Sequence, residues 1–335
     1  MIEQRALGTS GIPVSIVGLG TWSMGGAWWG PSDDAESIRT IRRALDLGVT
    51  LFDTAEVYAA GHSEEVLGAG LEGRRHEAVI SSKVGAHHFD TASVRMAFED
   101  SCRRLRTDYI DVYFLHWPNI DVPIEETMTA MVRLKEEGKI RAIGVSNFTA
   151  AEMAEAAQFG AIDVLQPPYS LLWRFGEKED FPWCQDHGVG LMTYSSLAQG
   201  LLTGMLRREM QLPDGDRRPG TAMFQPAHYG VCLDVVEQVR PIAAKHGKTV
   251  AQTALAWLAA QPGVSSTLVG ARTVAEIEED VGAAGWKLEP EDLAEIDRLG
   301  RSVTDDYPPY PDIFRNWLGW DLQRRRYEAQ GRVPA

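Results

Sequence analysis

The chain has 335 residues, enough for two ordinary domains or one large α/β barrel with extensions, and its 44% hydrophobic and 24% charged content excludes collagen-like, coiled-coil and largely disordered classes. Lys and Arg number 33 against 47 Asp and Glu, a net charge of −14 that argues against a protein built to grip nucleic-acid phosphates. Three scattered cysteines (Cys102, Cys184, Cys232) form neither a disulfide framework nor a zinc ribbon, no apolar window is long enough to span a membrane, and no secretory leader opens the chain, so a reducing cytoplasm is expected.

Taken in order, the chain alternates strand and helix. Val14–Gly18 is the first apolar run. Asp33 and Glu36 read as a capping box ahead of Ile38, Ile41, Ala44 and Leu45 at helical spacing, with Gly48 as the stop. Val49–Phe52 is a strand ending at Asp53, Ser63-Glu64-Glu65 opens a helix, and Ala78–Ser82 is a strand ending at Lys83. Thr91–Leu105 is a helix. Tyr109–Leu115 is a strand ending at His116, Ile124–Glu137 a helix closed by Gly138, and Ile140–Val145 a strand ending at Ser146-Asn147. Thr149 and Glu152 form a second capping box. Val164–Gln166, Gly190–Tyr194 and Thr267–Gly270 complete the strands; Val236–Lys245, Val250–Ala260 and Val274–Val281 are helices. Residues 205–230 read as a surface loop.

Strands that are continuously apolar belong to a parallel sheet covered on both faces, and eight of them with helices between fit a (β/α)8 TIM barrel. Gly18-Leu19-Gly20-Thr21-Trp22 lacks the third glycine of the dinucleotide fingerprint, and there is no Walker A sequence. Residues 1–300 are expected to form a single barrel domain. Residues 301–335, rich in Tyr, Trp and Pro, form a tail expected to pack on the barrel or on a neighbouring subunit.

Polar residues stand in register where these strands end: Asp53, Lys83, His116, Ser146-Asn147, Gln166 and Tyr194. In a barrel, those ends form the face that carries the active site. Around them, Asp53-Thr-Ala-Glu-Val-Tyr58, Ser81-Ser-Lys83, Leu115-His-Trp-Pro118, Gly144-Val-Ser-Asn-Phe148, Leu165-Gln166, Gly200-Leu-Leu-Thr-Gly204 and Gly270-Ala-Arg272 occur in the order of the blocks of aldo-keto reductases. The sequence resembles that family from about Gln4 to Leu299. Gly20-Thr-Trp-Ser-Met-Gly-Gly and Leu165-Gln-Pro-Pro-Tyr169 look most like a bacterial branch of general-stress and sugar-metabolism reductases.

The resemblance implies NAD(P)H-dependent reduction of an aldehyde, ketone or sugar carbonyl. Tyr58 would donate the proton, Lys83 would lower the phenol's pKa from about 10, Asp53 would hold Lys83, and His116 would orient the substrate oxygen. It further implies a nicotinamide site of Gly20, Thr21, Trp22, Asp53, Ser146, Asn147, Gln166 and Tyr194, and a pyrophosphate segment of Ser195, Ser196, Leu197, Gln199, Gly200 and Gly204 with Arg218 closing over it. The adenosine end would use Gly270, Ala271, Arg272, Glu276 and Asp280. Trp22, Trp29 and Trp117, with Trp28 and Trp173 as further candidates, would line the substrate pocket. Met205 stands where many relatives carry Lys, and Glu276 and Asp280 where Gln and Asn are usual.

NADP(H) is therefore the preferred cofactor on the strength of the Arg272 guanidinium, with NAD(H) the alternative because a carboxylate repels a 2′-phosphate and accepts from ribose hydroxyls. The rival functions are an NAD-dependent sugar or polyol dehydrogenase, and a nucleotide-binding regulatory subunit with weak turnover. The expected partner is a small carbonyl or sugar compound, with no nucleic acid and no membrane, in a monomer or homo-oligomer. His62, His87 and His88 show no ligand spacing and read as surface residues, so no metal is expected.

Overall fold

A computed structural model describes residues 2–26, 32–212, 216, 218–305, 313 and 320–330. The chain opens with an antiparallel hairpin, β1 (Gln4–Leu7) and β2 (Ile12–Ser15). Eight parallel strands then close into a barrel: β3 (Val17–Gly20), β4 (Leu51–Asp53), β5 (Val79–Val84), β6 (Ile110–Leu115), β7 (Ile140–Ser146), β8 (Val164–Gln166), β9 (Gly190–Thr193) and β10 (Val264–Val269), with β10 pairing back onto β3. Around it lie α1 (Asp34–Asp46), α2 (His62–Gly70), α3 (Thr91–Leu105), α4 (Ile124–Glu136), α5 (Ala150–Ala156), α6 (Asp180–His187), α7 (Pro226–Lys245), α8 (Val250–Ala259), α9 (Val274–Val281) and α10 (Pro290–Thr304), and α11 (Trp320–Ala329) follows. This is the expected TIM barrel. No helix among the described residues is long and apolar enough to cross a membrane.

Every residue of β5 and β6 is buried, the signature of strands covered on both faces. Val112, Phe114, Val164 and Met192 fill the interior, and Leu7, Ile12 and Val14 of the hairpin pack into that same cluster and plug one end. The expected first strand, Val14–Gly18, is thus divided between two: Val14 and Ser15 lie in β2 of the plug, Val17 and Gly18 in β3 of the barrel. The hairpin is tied down by Arg5 Nη1, which donates to the carbonyls of Ala259 (2.7 Å) and Val264 (2.8 Å).

Several expected boundaries move. β10 begins at Val264, and α7 begins ten residues before the expected Val236, with Pro226 in its first turn and Pro241 inside it. The 205–230 segment therefore ends as a loop at Gln225. Helices α6 and α10 add to the expected set, and α10 runs to Thr304. The Thr149–Glu152 capping box forms in full. At Asp33 only half forms: its carboxylate accepts from Ala35 N and Glu36 N, while Glu36 turns away to Arg39 and to Val274 N.

Gly8 joins the plug to the barrel. Its φ is +54°, and a Cβ there would lie 2.1 Å from Asp163 O and 2.4 Å from Gly190 N, both backbone atoms that cannot swing aside. Gly8→Ala is expected to lower stability by about 2–4 kcal/mol, read as a shift of the urea midpoint at unchanged m-value.

Candidate active site

The ends of β4, β5, β6, β7 and β8 bring the predicted residues to one face. Lys83, fully buried, directs its ammonium at three acceptors: Asp53 Oδ2 (2.6 Å), Thr54 O (2.7 Å) and Tyr58 Oη (3.2 Å). Asp53 Oδ1 accepts from Ser81 Oγ (2.7 Å) and from Gln166 Nε2 (2.9 Å), so Gln166, expected only as a nicotinamide ligand, also braces the carboxylate. Tyr58 lies edge-on to His116 at 5.7 Å between ring centroids and stacks on Trp22 at 5.9 Å. It sits on a turn in which the next two residues, Ala59 and Ala60, take positive φ (48° and 55°), a strained path that aims the phenol inward.

The electrostatics modify the expectation for Tyr58. Burial raises the phenol's pKa and outweighs the pull of Lys83, so the hydroxyl stays protonated at neutral pH. Burial also works against the Lys83 ammonium, but Asp53 and Tyr58 overcome it and hold the charge in place. Burial, then the Lys83 charge and His87, pushes His116 well below the ordinary histidine value, so its imidazole is neutral.

Asn147 is the hinge of the next group. It adopts φ +64°; its Nδ2 donates to His116 O and Ser146 Oγ (both 3.0 Å), and its Oδ1 accepts from Tyr194 Oη (2.8 Å). Ser146 Oγ donates to Gln166 O. Thr21 and Ser196 are committed to the scaffold: Thr21 Oγ1 donates to Asp53 O and meets Ser63 Oγ at 2.7 Å, and Ser196 Oγ reaches Thr193 O. Gly20 ends β3 beside them.

Ser195, Ala198, Gln199, Gly200 and Gly204 all take positive φ, a winding segment of the kind that turns backbone amides toward an anion. A Cβ on Gly200 would lie 3.5 Å from Arg218, so that guanidinium does overhang the segment, held by Asp216. Arg207 and Arg240, absent from the sequence-based set, both donate to Gly204 O. Gln199 Oε1 is buried and has no partner among the described residues, an orphaned polar atom that a ligand in this groove would satisfy. Leu197 is half-buried next to it.

Among the residues expected at the adenosine end, Glu276 Oε2 accepts from the Arg272 amide (2.6 Å) just ahead of α9, beside Gly270 and the buried Ala271. Asp280 is buried, and burial, with Glu279 and Glu276 nearby, lifts its pKa to about 7. Among the tryptophans, Trp22 and Trp117 are half-buried. Trp173 is a core residue against Phe175, not a pocket wall, and Trp28 and Trp29 lie outside the described residues. His87 and His88 do not diverge as adjacent residues on a regular helix would; their rings lie 4.0 Å apart beside Glu56.

The aromatic stretch of the tail lies largely outside the described residues, but α11 docks at this face. Arg326, 1% exposed, pairs with Glu152 of the capping box, and its Nη2 donates to Asn147 O (2.8 Å); Arg325 pairs with Asp121. No sequence pattern marked that pair, because its members are 174 positions apart.

Residues 16–301 match the model of the aldo/keto reductase family. The chain belongs to that family. It is 36% identical to the NADH-specific methylglyoxal reductase of Escherichia coli, over 90% of this chain and 99% of that protein. Its fold is similar to a glycerol dehydrogenase of Gluconobacter oxydans (TM-score 0.83, 32% identity, 94% of this chain and 98% of that one). It is also similar to an aldo-keto reductase of Klebsiella pneumoniae in complex with NADPH (TM-score 0.74, 34% identity, 95% and 100%). As a member of the aldo/keto reductase family this chain is an oxidoreductase.

Two outcomes follow for this aldo/keto reductase. Because His116 is held neutral when folded and gains a proton near pH 6.5 when unfolded, the unfolded chain binds more protons below that pH and stability falls as pH falls. The histidine contributes at most about 1.4 kcal/mol per pH unit, so the urea-midpoint difference between wild type and His116→Gln should change between pH 7.5 and 5.5, the wild type losing more. Arg326→Leu leaves the Glu152 carboxylate short of its buried cation. It is expected to cost about 1–3 kcal/mol and to free the C-terminal helix for limited proteolysis, with Glu152→Gln added in the double variant recovering part of the loss.

Proposed function

We propose that this chain is a nicotinamide-dependent carbonyl reductase in which Tyr58 delivers the proton. The observation that carries the proposal is the chain of contacts from Tyr58 Oη through Lys83 Nζ to Asp53, open to the face where neutral His116 stands. When bound, the reduced nicotinamide supplies hydride. Tyr58 holds a proton at neutral pH because burial keeps it protonated, and the fixed Lys83 charge stabilises the phenolate left once that proton has gone to the carbonyl oxygen. His116 is free to hydrogen-bond the substrate oxygen without bringing a charge that would compete with Lys83. Asn147, Ser146 and Gln166 offer amide and hydroxyl groups suited to a carboxamide, and Trp22 and Trp117 supply apolar walls.

For the cofactor we propose NADP(H), with Arg272 as the 2′-phosphate partner; the NADPH complex of the Klebsiella relative supports it. A second proposal is NAD(H) use, favoured by Glu276 and Asp280, which put carboxyl groups at that end, and by the NADH-specific relative; with it would go oxidation of a polyol as the working direction, in keeping with the glycerol dehydrogenase of similar fold. Oxidation needs the Tyr58 phenolate, so its rate should climb toward alkaline pH whereas reduction should not.

The test is a panel of aldehydes and sugars with each reduced dinucleotide. Tyr58→Phe is expected to lower kcat by at least about 100-fold while leaving dinucleotide affinity, read by tryptophan-fluorescence quenching, within about twofold. Glu276→Gln is expected to raise the NADPH-to-NADH ratio of kcat/KM by about tenfold. Dinucleotide binding with no turnover in wild type across the panel would instead support a regulatory subunit.

A further inference from the structure

Glu56 stands apart from the chemistry described above. Its side chain is only 8% exposed, yet among the described residues no lysine or arginine neutralises it. Its Oε1 instead accepts from Gly85 N (2.6 Å) and lies 3.0 Å from His88 Nδ1. The neighbouring His87 brings a second imidazole, and one ligand atom from each of Glu56, His87 and His88 falls within 4.8 Å of the others. A buried carboxylate facing two imidazoles, with no fixed cation, has the donor set of a borderline metal ion.

Gly85 shows why the three can gather. Its φ and ψ (−69°, 148°) are open to any residue, so backbone freedom is not the reason for a glycine here. Space is the reason: a Cβ would lie 2.5 Å from the His87 ring and 3.1 Å from Glu56 Oε1. The missing side chain leaves a hollow that Glu56 and His87 share.

We propose that Glu56, His87 and His88 form a binding site for a divalent transition metal of the zinc class, with water completing a tetrahedral set. Ligand bonds of about 2.0–2.2 Å require ligand atoms roughly 3.3–3.6 Å apart. Glu56 Oε1 and His88 Nδ1, at a hydrogen-bond distance of 3.0 Å, would open by a few tenths of an ångström on taking up the ion, and His87, exposed on its short turn and within 4.8 Å of both, would swing inward. The three cysteines, the usual competitors for zinc, are buried, and burial pushes the thiols of Cys102 and Cys184 up to about 12. The ion would tie the segment carrying Tyr58 to the strand end carrying Lys83, since Glu56 lies two residues before the one and Gly85 two residues after the other.

The experiment uses the full chain stripped with chelator and titrated with zinc chloride by calorimetry, with cobalt(II) as a spectroscopic probe. Wild type should bind about one equivalent with micromolar affinity, give the cobalt absorption of a tetrahedral nitrogen–oxygen site, and melt at a higher temperature with zinc than without. His87→Ala and His88→Ala should each weaken binding at least about tenfold, and Gly85→Ala, which fills the hollow, should do the same. The His87→Ala/His88→Ala double variant should lose the cobalt spectrum and the thermal shift. Wild type taking up no stoichiometric zinc at about 100 µM, or the double variant binding as wild type does, overturns the proposal. If the double variant melts early without metal, the zinc affinity of the single His88→Ala variant decides: weakening by at least about tenfold supports the site, and wild-type affinity overturns it. None of these readouts depends on turnover.

Discussion

The active face is organised by one buried ion pair. Lys83 and Asp53 are both withdrawn from water, and a charge so placed survives only if its partner and its remaining hydrogen bonds are in position. All three protons of the ammonium are used, on Asp53, Thr54 and Tyr58, and Asp53 spreads its second oxygen over Ser81 and Gln166. Residues of β4, β5 and β8 therefore share one polar network. The pair fixes the charge that the Tyr58 phenolate would need, and the Lys83 charge adds to the burial that holds His116 low, so removing either member would disturb more than one bond.

That network depends on the closed barrel around it. β4 and β5 are neighbours in the sheet, which puts Asp53 beside Lys83, but Gln166 reaches Asp53 from β8, across the interior. The N-terminal hairpin plugs one end with Leu7, Ile12 and Val14. The opposite end carries the polar groups, overhung by Arg218 and bounded by α11 through Arg326. An acidic chain thus gathers local cations, Arg207, Arg218 and Arg240, around one strained stretch of backbone from Ser195 to Gly204.

The opposing pulls on Tyr58 separate this structure from a simple account of activation by lysine. A nearby cation lowers a phenol's pKa and burial raises it, and here burial is the larger effect. In the proposed reaction, Lys83 would stabilise the phenolate that Tyr58 becomes rather than ionise it beforehand. The same balance gives the proposed reduction and oxidation directions opposite demands on one hydroxyl.

The barrel itself was legible in the sequence, since eight continuously apolar runs with helices between them leave few other ways to bury both faces of a sheet. So were the places of Asp53, Lys83 and His116, because a residue at the end of a strand has only one face to reach in such a fold, whereas Tyr58, five residues past Asp53, was marked only by the family resemblance. Chain order alone could not show the split of the first apolar run into plug and barrel strand: one stretch of hydrophobicity does not say which surface it covers. Nor could it show Gln166 on Asp53, Arg326 on Glu152 or the Glu56–His87–His88 cluster, for each joins residues whose proximity arises only when separate loops meet at one rim. Local pattern determined the fold and the chemistry-bearing strand ends. Tertiary structure decided which charges face each other and how burial weights them, because electrostatic energies depend on distance and solvent exposure, and neither is written along the chain.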